Sequence, residues 1–232
     1  MRLASILLVV SIAVGCTDTG VADRTSAPVA ATPSPVPSLP SGIPPSFGDA
    51  VAPGDVPPAA LVPLKADLTG RWDASTSAGD AIIVAWTIPG AGRFRLDRGI
   101  AAWRRFDDGG PPWRPVWGAD YPARSDAVQN LTVDVADVTG DGSDDAIVSA
   151  ETGGSGGCAT VSVLDLAAGA RVYRSSGCDR IVTASTDPVG LAIRAAVYRP
   201  GDAHCCPSLI RTSVLAYADG SWNTVSSTTS RA

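Results

Sequence analysis

Asp137-Val138-Thr139-Gly140-Asp141-Gly142-Ser143-Asp144-Asp145 stands between two strand-like runs, Val128 to Val135 before it and Ala146 to Glu151 after it. Asp fills the first, fifth and ninth places, Thr139 the third and Gly142 the sixth. A hard cation such as calcium takes about six to eight oxygens from a tightly turned loop. Alternate places aim side chains at one centre, the seventh offers a backbone carbonyl, and glycine permits the bend. The spacing therefore predicts a strand–loop–strand unit holding calcium in a structural site. Its ligands are Asp137, Thr139, Asp141, Ser143 and Asp145. The competing reading is an ion-free turn, because Asp and Gly are common turn residues. It leaves the repulsion among Asp134, Asp137, Asp141, Asp144 and Asp145 uncompensated.

On these residues the run resembles the calcium loop of FG-GAP/VCBS-type repeats, found in integrin-like β-propeller blades. Such loops carry Asp, Asn or Asp, Asp-Gly and Asp where this chain has Asp137, Thr139, Asp141-Gly142 and Asp145. The likeness covers about a dozen residues, up to the apolar Ala146-Ile147-Val148. It implies a bound calcium ion and blade-like strands. Thr139 departs from the pattern, supplies a neutral oxygen and should weaken binding. An EF-hand fits less well, because its bidentate Glu would fall at Val148.

Outward from the loop, the chain offers short β-leaning runs broken by Gly, Pro, Asp and Asn, and no long amphipathic helix. Strands are expected at 80–88, 92–97, 100–106, 114–117, 128–135, 145–151, 159–166, 170–175, 180–186, 190–198, 209–218 and 221–226. The fold class is all-β: one β-rich domain over 64–232, built as a meander, sandwich or barrel-like unit, with partial propeller-like blades as a variant. Twelve strands make three four-stranded blades, one short of the smallest closed propeller, about four. Ala66-Asp67-Leu68-Thr69-Gly70 echoes Ala136–Gly140, and Asp80–Val84 echoes Asp145–Val148, which hints at a duplication whose first copy lost the metal loop.

The first 63 residues are of another kind. A basic start at Arg2 and an apolar run from Leu3 to Val14 read as a signal peptide over residues 1–15, too short to span a bilayer. Ala13-Val14-Gly15-Cys16 resembles a lipobox, which implies lipidation of Cys16 and a lipid-anchored protein on the extracytoplasmic face of the cell membrane. Between Thr17 and Pro63 lie 11 of the 19 prolines, mixed with Ala, Ser, Thr and Gly. Such a segment buries too little apolar surface to fold and leans toward polyproline II. Residues 16–63 are thus expected to be a disordered stalk, reaching on the order of 100 Å when extended. Net charge is −5, and the 18 basic residues are 17 Arg and Lys65. No basic stripe suggests a nucleic-acid partner. The Arg-over-Lys, Ala/Gly-rich bias resembles that of high-GC actinobacterial proteins.

Three further features bear on chemistry. Gly153-Gly154-Ser155-Gly156-Gly157 satisfies G-x-S-x-G, and His204 is the only histidine available as a base. A nucleophile elbow needs a helix after the serine, whereas Cys158–Leu164 reads as strand, so the hydrolase reading is weak. The run around Cys205-Cys206-Pro207-Ser208 is similar to runs in actinobacterial secreted proteins, a resemblance that implies no activity. Its thiols suit disulfides better than zinc or copper outside the cell. With Cys16 set aside, Cys158, Cys178, Cys205 and Cys206 allow three pairings. A hairpin around Ala167-Ala168-Gly169 with Leu166 opposite Ala170 would place Cys158 opposite Cys178. Cys205 and Cys206 would then close a vicinal ring or stay as thiols; the competing arrangement is two crossed bonds. Lastly, Trp103, Trp113 and Trp117 beside Arg104, Arg105 and Arg114 either fill the core, as tryptophans on short strands usually do, or stack on sugars.

The expected function is non-enzymatic binding or scaffolding at the cell envelope, with a cell-wall glycan or an envelope protein as partner. The rivals are a hydrolase using Ser155 and His204 and a thiol-redox protein using Cys205 and Cys206.

Overall fold

Hydrophobic runs that fill both faces of a strand call for cover on both sides. The computed structural model supplies it by stacking sheets. It describes residues 61–63, 65–89, 96–110, 112–123, 128–153, 157–203 and 205–232. Signal peptide, Cys16, nearly all of the Pro-rich stretch, Ser155 and His204 lie outside the described residues. Among the described residues twelve strands form, each paired antiparallel with its chain neighbour inside one of three four-stranded sheets. The first sheet holds β1 (Asp67–Thr76), β2 (Gly79–Pro89), β3 (Leu96–Arg105) and β4 (Trp113–Tyr121). The second holds β5 (Val128–Ala136), β6 (Asp145–Thr152), β7 (Cys158–Asp165) and β8 (Ala170–Gly177). The third holds β9 (Arg180–Thr186), β10 (Val189–Val197), β11 (Leu209–Ala218) and β12 (Ser221–Arg231). Among the described residues the fold is all-β, three blade-like meanders in an unclosed stack.

The pleat divides each run between two cores. Ala81, Ile83 and Ala85 of β2 pack with Val133, Ala146, Val148, Leu164 and Leu166 of the second sheet. Ile82, Val84 and Trp86 face the other way, onto Trp103, Trp113 and Leu61. Ile147 of β6 points oppositely to Ala146 and Val148, into a third cluster with Val161, Val163, Tyr173, Val182, Leu191 and Trp222. The second sheet is therefore covered on both faces. In the third cluster Trp222 packs edge-on to Tyr173, ring centroids 5.8 Å apart, and its Nε1 donates to the Val172 carbonyl. The first strands meet down the middle, β5 lying against β1 on one side and β9 on the other. Trp103, Trp113 and Trp117 are 1%, 8% and 7% exposed, so they are core, and a sugar-stacking platform loses its rings.

The expected strands and the observed ones match in number through two compensating differences. The expected strand 92–97 lies mostly outside the described residues, and its last two positions belong to β3, which runs unbroken from 96 to 105 past Gly99, where the Trp86 indole lies over its cross-strand partner and any side chain would collide. β1 was absent from the expected set. Its residues DLTGRWDAST are mostly polar and gain order from pairing with β2. The internal echoes separate as well. Asp80 and Asp145 both lie at the start of a sheet's second strand, but Ala66–Gly70 enters β1 whereas Ala136–Gly140 leaves β5. The 66–70 half of the echo is therefore not an equivalent position.

The hairpin β7–β8 corrects its expected register near the turn. Asp165 faces Ala170 and Leu164 faces Arg171, and a shift between Val163 and Leu164 then brings Ser162 opposite Arg174 and Thr160 opposite Ser176. Ala159 faces Gly177, and Cys158 is joined to Cys178 in a disulfide. That bond sits where the chain leaves the second sheet for the third. It also excludes the crossed arrangement. Replacing both cysteines, Cys158→Ser with Cys178→Ser, should lower stability by about 3 kcal/mol through the regained freedom of the 20-residue loop in the unfolded chain. Denaturant unfolding of parent and double variant measures this. Coincident midpoints would show the corner needs no covalent clamp.

Candidate functional site: the loop between β5 and β6

The first and third sheets join their leading strands with two-residue turns, Ser77-Ala78 and the cis Asp187-Pro188. The second sheet spends eight residues at this place, 137 to 144. Gly140 and Gly142 have φ of 78° and 81°, which side-chain-bearing residues rarely adopt, so the bends require glycine there. Asp137 closes the loop from inside: Oδ1 accepts the Gly140 N–H at 2.7 Å and Oδ2 the Gly142 N–H at 3.0 Å. Asp141 Oδ1 accepts the Ser143 N–H at 2.7 Å.

The same loop reaches both neighbouring sheets. Toward the first, the Asp144 N–H donates to the Ser75 carbonyl, and Asp144 Oδ2 accepts the Ser75 N–H at 2.7 Å. The Ser77 N–H donates to Ser143 Oγ, whose hydroxyl donates to Ser77 Oγ at 3.0 Å. Ser143 is 1% exposed, while Ser75 and Ser77 on the other side are exposed. Toward the third sheet, Val138 is wholly buried with Val182, Leu191 and Trp222. Gly140 approaches Val189, whose Cγ1 would lie 3.9 Å from a side-chain carbon added there. One loop thus fastens three sheets.

Asp145 is the buried end of the device. It is wholly enclosed, and its Oδ2 accepts the N–H groups of Val138 and Thr139, each at 2.9 Å. Burial pushes its carboxyl up to about 6. The two N–H bonds and the Thr139 hydroxyl pull the other way, and like charge on Asp165, directly opposite on β7, adds to the rise. Asp145 Oδ1 and Thr139 Oγ1 are both buried without a well-formed hydrogen bond. A buried carboxylate oxygen with only a weak tie to the neighbouring Thr139 hydroxyl has lone pairs to offer a cation, which needs oxygens. Asp137 and Asp141 already hold backbone N–H groups, yet a carboxylate retains lone pairs beyond those bonds. Among the described residues no three acidic, His or Cys side chains stand together as a ready metal cluster, so the carboxylates of Asp137 and Asp141 would have to turn inward.

Asp137, Thr139, Asp141 and Ser143 lie in the loop itself, and Asp145 opens strand β6. The roles of Asp144, Ser75 and Ser77 were not visible in advance, since the Asp144–Ser75 contact spans 69 residues and leaves no local pattern. A second tie was equally hidden: Arg104 Nη1 of β3 donates to the carbonyls of Leu166 and Ala167 in the second sheet's last hairpin. Cys205 and Cys206 lie exposed in the β10–β11 connection, unpaired with the other two cysteines.

Fold and site together define an all-β protein of three stacked four-stranded meanders clasped by an acidic loop. No protein-family model matches the chain, and comparison with curated proteins and with solved structures returns no match.

Proposed function

We propose that this is a membrane-anchored extracytoplasmic lipoprotein whose β domain, stabilised by calcium, binds or scaffolds a cell-wall glycan or an envelope protein without catalysing a reaction. The observation that carries the anchoring is Ala13-Val14-Gly15-Cys16 at the end of a short apolar run that follows a basic start. The Pro-rich stretch to residue 63 then serves as a stalk between bilayer and domain. Calcium would be held by Asp137, Thr139, Asp141, the Ser143 carbonyl and Asp145. When bound it neutralises acidic charge at the junction of the three sheets. Against the hydrolase alternative, the chain enters strand β7 at Cys158, where a nucleophile elbow needs a helix.

The test of the anchor is Cys16→Ser. The parent should fractionate with membranes and carry a diacylglycerol mass, since two acyl chains suffice for stable attachment. The variant should lose both properties. An unchanged lipid mass on the variant would refute the lipobox.

A further inference from the structure

The β10–β11 connection holds chemistry that neither the anchor nor the clasp uses. Asp202 organises it, accepting the N–H of Arg199 at 2.7 Å, the N–H of Ser208 at 2.9 Å and the Ser208 hydroxyl. The Asp202 N–H donates to the Arg199 carbonyl and the Cys206 N–H to the Ala203 carbonyl. These bonds fix the turn without help from sulfur. On it Cys205 and Cys206 stand exposed with their Sγ atoms 2.7 Å apart. The turn holds the two sulfurs side by side where a dissolved reagent reaches both.

We propose that Cys205 and Cys206 form a solvent-facing thiol–disulfide exchange couple that reduces a small-molecule disulfide and closes as a vicinal disulfide. The Cys205 thiolate attacks one sulfur of the external disulfide, forming a mixed disulfide and expelling the first small thiolate. The Cys206 thiol gives its proton to solvent, and its sulfur attacks Cys205 Sγ, expelling the second. Two cysteine thiols become one S–S bond, and one external disulfide becomes two thiols. The roles of the two can be exchanged, since both thiols are exposed and their sulfurs adjoin. The couple goes beyond the anchoring reading and stands without it, because export enters only as the source of an oxidising medium.

The test uses the full chain and glutathione. Trypsin does not cleave the Arg199-Pro200 bond, so the peptide from Ala195 to Arg211 carries Cys205 and Cys206 and no other cysteine. The protein is equilibrated at graded ratios of glutathione disulfide to glutathione, quenched in acid, alkylated and digested. Toward the oxidised end this peptide should be lighter by two hydrogens and take no alkyl group; toward the reduced end it should take two. In Cys206→Ser a glutathione adduct should persist on Cys205, and in Cys205→Ser on Cys206, because no neighbouring thiol remains to expel it. Two alkyl groups at every ratio, a persistent adduct on the parent, or no adduct on either variant would each overturn the proposal. None of these readouts depends on lipidation, so failure of the anchor and failure of the couple are told apart.

Discussion

Val138→Asp should cost the domain about 5 kcal/mol, enough to consume much of a stability that for single domains is about 5–15 kcal/mol. Val138 is wholly buried between the second and third sheets. A carboxylate there has no partner in its cluster and faces the acidic loop that bears it. Val138→Ala should cost only about 2 kcal/mol, for lost methyl burial and a small cavity. The gap between the two variants separates the cost of a buried charge from the loss of packing. Thermal and denaturant unfolding measure both. If Val138→Asp melted with the parent, the loop would not be seated in the inter-sheet core.

The second large effect is the response to calcium. A ligand that binds only the folded state stabilises by mass action, by about 4 kcal/mol at a thousand times its dissociation constant. For a domain of this size that raises the melting temperature by roughly 10 °C. The response should vanish in Asp145→Asn, which keeps an oxygen for the Val138 and Thr139 N–H groups but removes the charge. It should survive in Asp144→Asn, because Asp144 is turned to Ser75 and away from the loop centre. Loss in both variants would mean that the calcium effect follows general acidity and not these ligands.

Acidity gives this response a sign. The folded-state carboxyl of Asp145 sits at about 6, raised from an ordinary 3.8 mainly by burial. A raised carboxyl contributes stability that is fully present below the unfolded value and lost as pH rises through the folded one. Chelated protein should therefore lose Asp145's contribution between about pH 4 and pH 7. Calcium needs the ionised form, so its effect should grow over the same interval.

How much of this was legible beforehand depends on where the information lies. The loop's acidic spacing and the apolar runs 81–86 and 146–148 are local, and they placed the loop between strands and set the fold class. Strand β1 was not legible because pairing with β2, not its own apolar pattern, orders Asp67–Thr76. The end of β12 was lost for the same reason: residues 227–231 are exposed Ser, Thr and Arg, held by their pairing with β11. The gap expected between 97 and 100 is strand, with Gly99 the seat of an indole. In the site, the loop's acidic and glycine positions are a local pattern, whereas the clasp to Ser75 and Ser77 depends on how sheets stack. Stacking is a long-range outcome that no window of sequence contains.

The central claim is that an acidic loop closes the three-sheet stack around a cation, and one measurement reaches it most directly. The chelated domain is melted across micromolar to millimolar calcium at about pH 7.5 and again at about pH 5, on either side of the Asp145 carboxyl. The account predicts a melting temperature that climbs with calcium at the higher pH and barely moves at the lower one. A flat response at both, or an equal rise at both, would contradict it.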